Sequence, residues 1–181
     1  MSGIIWPERF TPGTTDNFVS NEIIVPGIYA DEVWDCLTDT AKWPSYYGNV
    51  SDIRFHDGKG PVLREGSRFR FTTFGLPIDA KITEYEAPVD NRPARIAWHG
   101  WMDAAPGREK VLDVHHAWLF EDLPGDRVRI LTQESQLGEK ARELAATLPN
   151  PMLNAHQDWL DGLARATLSD AAGRCRKAAG L

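Results

Sequence analysis

Val111-Leu-Asp-Val-His-His-Ala-Trp-Leu-Phe120 and Arg127-Val-Arg-Ile-Leu-Thr-Gln-Glu-Ser-Gln136 are alternating, β-rich runs separated by the turn residues Leu123-Pro-Gly-Asp126. Turn chemistry between two such runs closes an antiparallel hairpin. Successive side chains of a strand point to opposite faces, so Leu112, Val114, His116, Trp118 and Phe120 share one face and Val111, Asp113, His115, Ala117 and Leu119 the other. Bulk marks the first set as inner. On the second strand Val128, Ile130, Thr132 and Glu134 are inner, and Arg127, Arg129 and Gln133 face out.

The same grammar recurs upstream. Phe18 to Val25 ends at Pro26-Gly27, Val50 to Phe55 at Asp57-Gly58-Lys59-Gly60, and Ser67 to Thr73 at Phe74-Gly75; Ile78 to Tyr85 and Arg95 to Trp101 follow. The spacing predicts seven strands in an antiparallel meander. Inner positions on the added strands are Phe69 and Phe71, then Ile78, Ala80, Ile82 and Glu84, then Ile96 and Trp98. Between the first two strands, Asp31 is placed to cap a short helix carrying Val33, Trp34 and Leu37, and a second helical turn runs from Trp43 to Tyr47. Downstream, Asn150-Pro151 supplies an N-cap and a first-turn proline for one long helix. Met152, Ala155, His156, Trp159, Leu163, Ala166 and Thr167 form its apolar stripe, with Asn154, Asp158, Asp161 and Arg165 opposite. Leu168 falls on the wrong side of that wheel. The division expected is an irregular arm over residues 1–17, one domain over 18–175 and a frayed tail over 176–181.

The 181 residues are 42% hydrophobic and 25% charged, which suits a single globular unit rather than a disordered or coiled-coil chain. Twenty-six acidic against 20 basic residues leave a net charge of −6, so nucleic acid is not an expected partner. Cys36 and Cys175 are too few and too scattered for a disulfide framework; reduced thiols and a cytoplasmic location are expected. Neither a signal-like N-terminus nor a long apolar window is present, so no integral membrane contact is expected.

The order strand, two short helices, six strands, long helix resembles the helix-grip fold of the SRPBCC or START-like superfamily. Local wording is similar to its polyketide cyclase/dehydrase and lipid-transport branch: Ile23-Ile24-Val25-Pro26, Glu32-Val33-Trp34, Leu37-Thr38-Asp39, Trp43-Pro44, Arg95-Ile96-Ala97-Trp98 and His116-Ala117-Trp118-Leu119-Phe120. The resemblance implies an α+β fold, a curved seven-stranded sheet wrapped around the last helix, with an elongated cavity between them for a small apolar or amphipathic ligand.

The polar residues on inner faces are the candidate site. His116, Glu134 and His156 lie among apolar neighbours, where a titratable group is costly unless paired. Each is open to two readings, a satisfied core group or a functional one that orients or reacts with a ligand. The expected ligand-binding set is Phe71, Ile78, Ile82, Trp98, His116, Trp118, Thr132, Glu134, Met152, His156, Trp159 and Leu163. Neighbouring His115 and His116 point to opposite faces and cannot chelate one ion, and no P-loop, nucleophile elbow, Cys-x-x-Cys or dinucleotide fingerprint occurs. No metal or cofactor is therefore expected. Asp31, Asp79 and Asp113 read as solvated or capping carboxylates. Gly138 to Leu148 reads as a solvated helix or a lid. Three functions compete: binding of a lipid, polyketide or aromatic metabolite; a cyclase/dehydratase with His116 and Glu134, or His156, as acid and base; and self-association as a homodimer through an outer patch including Trp101.

Overall fold

The structure, a computed structural model, describes residues 2–89, 92–105 and 110–178, without the side chains of 175–178. Strands β1 (Asn17–Pro26), β2 (Ser51–Phe55), β3 (Arg68–Thr73), β4 (Leu76–Glu86), β5 (Ala94–Asp103), β6 (Lys110–Leu123) and β7 (Arg127–Leu137) form one antiparallel sheet in the order β1-β7-β6-β5-β4-β3-β2. Helices α1 (Ala30–Thr38) and α2 (Trp43–Tyr46) carry the chain from one sheet edge to the other. Helix α3 (Glu139–Ala145) precedes α4 (Pro151–Ala178), which lies across the sheet. The helix-grip expectation holds: the curved sheet closes on α4 from one side, and α1 and α2 contact it from another.

The core forms where the inner faces meet. Trp159, in the third turn of α4, stacks on Tyr47 at 4.4 Å and packs edge-on against Trp43 at 5.1 Å and Trp118 at 5.5 Å. Such aromatic pairs contribute about 0.5–1.5 kcal/mol each beyond the area they bury. Asn150 caps α4 as its sequence position predicts, its Oδ1 accepting the Met152 N–H at 3.0 Å. Leu168 is exposed, consistent with its place on the wheel.

Several local expectations change. Asp31 does not precede α1 but sits in its first turn, with Tyr29 at the N-cap; Asp122 accepts the Ala30 N–H and Glu32 reaches back to the Tyr29 N–H. A bulge between Ile82 and Glu84 breaks the period-two count. Glu84 therefore faces outward, paired with Arg95 at 2.7 Å, while Tyr85 turns inward against Trp34. The α4 helix continues to Ala178, through part of the segment expected to fray, because Ala-rich sequence favours helix.

Nor is the outer face of β6 and β7 left to solvent. The N-terminal arm crosses it, with Trp6 and Phe10 against His115 at 5.4 and 5.9 Å and Arg9 on Asp113 at 2.6 Å. Asp113 is thus buried, not solvated; burial opposes its charge, but His99 and Lys110 beside it hold its pKa below the usual range. His115 is buried with no partner for Nε2, and desolvation, helped by nearby His116, lowers its pKa to about 4.

Gly162 explains itself sterically. A Cβ there would stand 2.0 Å from the carbonyl oxygen of Tyr46, so only glycine lets α2 dock on α4. Gly162→Ala should lower stability by about 2 kcal/mol in urea unfolding, despite the better helix propensity of Ala. A second expectation follows from His115. Between pH 6.5 and 4 the unfolded chain takes up a proton that folded His115 refuses, so stability present above pH 6.5 is lost as pH falls. Lowering the pH from 7 to 5 should cost the native protein about 2 kcal/mol more than it costs His115→Phe, measured by urea unfolding at both pH values.

Candidate functional site

A hollow lies between the sheet and the first turns of α4. Its cavity volume is about 40 Å³. Phe71, Ile78, Trp98, Leu112 and Val114 form its sheet wall, Met152, His156 and Trp159 its helix wall, and Tyr47, Phe74 and Leu144 of α3 stand around it. Gly100 also lines it; a Cβ there would meet Ile78 Cγ2 at 3.2 Å. The missing side chain is part of what keeps the space open.

His116, Glu134 and His156 come together at this wall from β6, β7 and α4. The register places His116 directly opposite Glu134, and α4 brings His156 over both. Glu134 Oε2 lies 2.9 Å from His116 Nδ1 and 3.3 Å from His156 Nε2. The two imidazoles stack with centroids 4.5 Å apart and planes 15° from parallel. His116 Nε2 meets Thr132 Oγ1 at 2.8 Å, so both of its ring nitrogens are engaged. His156 is not so satisfied: its Nδ1 is buried without a partner.

Glu134 has further donors behind it. Gln136 Nε2 donates to Glu134 Oε1. Asn17 Nδ2 donates to Gln136 Oε1 at 2.7 Å, and Asn150 Nδ2 to Asn17 Oδ1 at 2.8 Å. The Met152 N–H of α4 donates to Asn150. Every bond in this relay points its donor toward the carboxylate, so the amide dipoles align with the positive end of α4. Burial alone would raise the Glu134 pKa, but the imidazoles outweigh it and hold the carboxyl below the usual range. For His116 burial dominates and brings the pKa down to about 4, leaving a neutral imidazole beside an ionised carboxylate. Burial also pushes the Tyr47 hydroxyl up to about 12, so it meets the hollow as a neutral phenol.

The donor atoms of His116, Glu134 and His156 all lie within 4.8 Å of one another, close enough to invite an ion. In the arrangement seen here both imidazoles turn a nitrogen to the same carboxylate oxygen, which holds the three side chains together as one cluster.

Of the residues expected to bind ligand, Phe71, Ile78, Trp98, His116, Glu134, Met152, His156 and Trp159 line the hollow. Ile82, Trp118, Thr132 and Leu163 do not. They face inward as their periodicity requires, but there α4 closes onto the sheet, and all four are buried in packed surroundings. The elongated cavity is consequently a short one near the start of α4. Leu112, Val114 and Gln136 continue inner-face patterns already visible in the chain. Tyr47, Phe74 and Leu144 come from short or irregular segments that carry no periodic signal.

No protein-family pattern and no curated protein matches the chain. Among solved structures, a hypothetical protein from Helicobacter pylori is 47% identical with a TM-score of 0.85, covering 92% of this chain and 97% of that one. Helix-grip proteins align more distantly. The Zhui aromatase/cyclase from Streptomyces sp. R1128 has 16% identity and a TM-score of 0.56 over 91% of this chain and 99% of its own. A truncated norcoclaurine synthase from Thalictrum flavum has 13% identity and a TM-score of 0.55 over 84% and 93%. At such identities these two structures establish the helix-grip fold here and nothing about chemistry. No helix among the described residues is long and apolar enough to cross a membrane.

The relay can be tested apart from any ligand. Gln136→Leu takes the donor from Glu134 Oε1 and strands the Asn17 amide, which should cost about 2–3 kcal/mol in urea unfolding at pH 7. Ser20→Ala, at a bond on the exposed face of the same sheet, should cost under about 1 kcal/mol.

Proposed function

We propose that this SRPBCC/START-like protein binds a small amphipathic molecule at the mouth of the helix-grip hollow, with the polar end of the ligand against the His116–Glu134–His156 cluster. The observation that carries this reading is the meeting of an apolar wall with a buried, incompletely satisfied polar group. Ligand sites of this type are mostly apolar with a few placed polar atoms, and desolvation supplies affinity at roughly 25 cal/mol per Å² buried. A cavity volume of about 40 Å³ admits only the tip of a ligand. Its body lies toward the mouth, near Phe74 and Leu144, which gives α3 the role of a cover.

A cyclase/dehydratase activity is the second reading, favoured by one observation. His156 has a carboxylate at Nε2 and a free Nδ1, the arrangement of an oriented general base. Both nitrogens of His116 are occupied, so the reactive role moves from the His116–Glu134 pair to His156 backed by Glu134. Under this reading His156→Ala abolishes turnover of a poly-β-ketone substrate and largely spares its binding.

Native mass spectrometry of protein purified from its own cells tests the binding reading, with a retained small molecule at 1:1 stoichiometry as the expected result. Gly100→Leu should fill the hollow and remove the adduct while the far-ultraviolet circular dichroism stays unchanged. An empty native protein that also fails to bind any hydrophobic probe would sink the proposal. The same spectra read oligomeric state, which decides the self-association reading for the Trp101 surface.

A further inference from the structure

The chemical character of the ligand's head follows from what the cluster lacks, and the argument rests on the binding reading above. We infer that the deep end of the hollow receives an uncharged hydroxyl group, that of an alcohol or a phenol, and turns carboxylates away.

Three observations carry this. His156 is 1% exposed, its Nε2 faces the Glu134 carboxylate at 3.3 Å, and its Nδ1 has no partner. With the ring hydrogen on the Nε2 side, where it meets the carboxylate, Nδ1 presents a bare lone pair that only a donor can satisfy. A hydroxyl supplies one; an ether, a ketone or a carboxylate does not.

Charge gives the second. Among the described residues no lysine or arginine pairs with Glu134, whose partners are the two imidazoles and the Gln136 amide. A carboxylate entering this wall would bring a second buried anion beside the first with no cation to share. An ammonium would meet the opposite charge, but Glu134 Oε1 and Oε2 already accept from groups of the protein, so the cation would have to displace them.

Size is the third. The hollow, with a cavity volume of about 40 Å³, holds a hydroxyl and its adjoining carbons, and leaves little room for a larger head with its water.

Four probes with one hydrocarbon body separate the possibilities: 1-octanol, methyl octyl ether, octanoate and octylammonium, titrated into the native protein at pH 7.5 and followed by tryptophan fluorescence, since Trp98 and Trp159 line the site. Octanol should bind about tenfold more tightly than the ether, which lacks the donor, and about a hundredfold more tightly than octanoate. His156→Leu, with folding checked by circular dichroism, should bring octanol and the ether to equal affinity. If that variant does not fold, the four probes on the native protein decide alone. Equal binding of all four, or tighter binding of octanoate or octylammonium, overturns the hydroxyl assignment and leaves the binding reading standing. No binding of any probe overturns both.

Discussion

A carboxylate buried in the middle of a protein must be held by donors, and Glu134 organises much of this fold by being such a group. An isolated buried anion costs many kcal/mol, so its position demands compensation from every direction. Compensation arrives from β6 through His116, from α4 through His156, and along β7 from Gln136. Gln136 is in turn held by Asn17 at the start of β1, and Asn17 by Asn150 at the cap of α4. One charge thereby ties together the two ends of the sheet-and-helix grip. The first strand, the last strand and the last helix share a single hydrogen-bonded line.

That line also determines where the protein is open. One turn further along α4 than His156, Trp159 fills the gap against Trp43, Tyr47 and Trp118, and the layers touch. Near the start of α4 the polar cluster takes the place of large apolar side chains, and Gly100 removes one more from the sheet. A hollow remains between them. Its wall thus has an apolar part and a polar part, and two buried polar atoms of its lining residues, His156 Nδ1 and Trp159 Nε1, are left without a partner. The opposite face of the same strands follows a different logic. There the arm spreads Trp6 and Phe10 over His115 and pins Asp113 among three cationic or ring partners. The sheet is covered on both faces across β6.

Much of the fold was legible in the chain because its signals are local. Turn residues separate the strands, and the Asn150-Pro151 pair opens α4 where its side chains require. Period two placed His116 and Glu134 on the inner face, and period 3.6 placed His156 on the helix stripe. Misreadings came where a local rule met a nonlocal event. The bulge before Glu84 reversed a face that counting by twos had assigned. Asp113 looked solvated because nothing in its own strand announces that Arg9, a hundred residues away, lies on it.

What the sequence by itself determined is the order of elements, the two faces of each, and the presence of three titratable residues on apolar surfaces. These depend on neighbours in the chain and on the repeat of the backbone. Only the tertiary structure decided that the three meet, that a relay of amides stands behind them, and that Trp118, Thr132, Ile82 and Leu163 close up while Leu112, Gly100 and Leu144 border open space. Those outcomes depend on how far a helix stands from a sheet at each point along it. That distance is set by the summed volumes of side chains from both layers, a quantity no single segment contains.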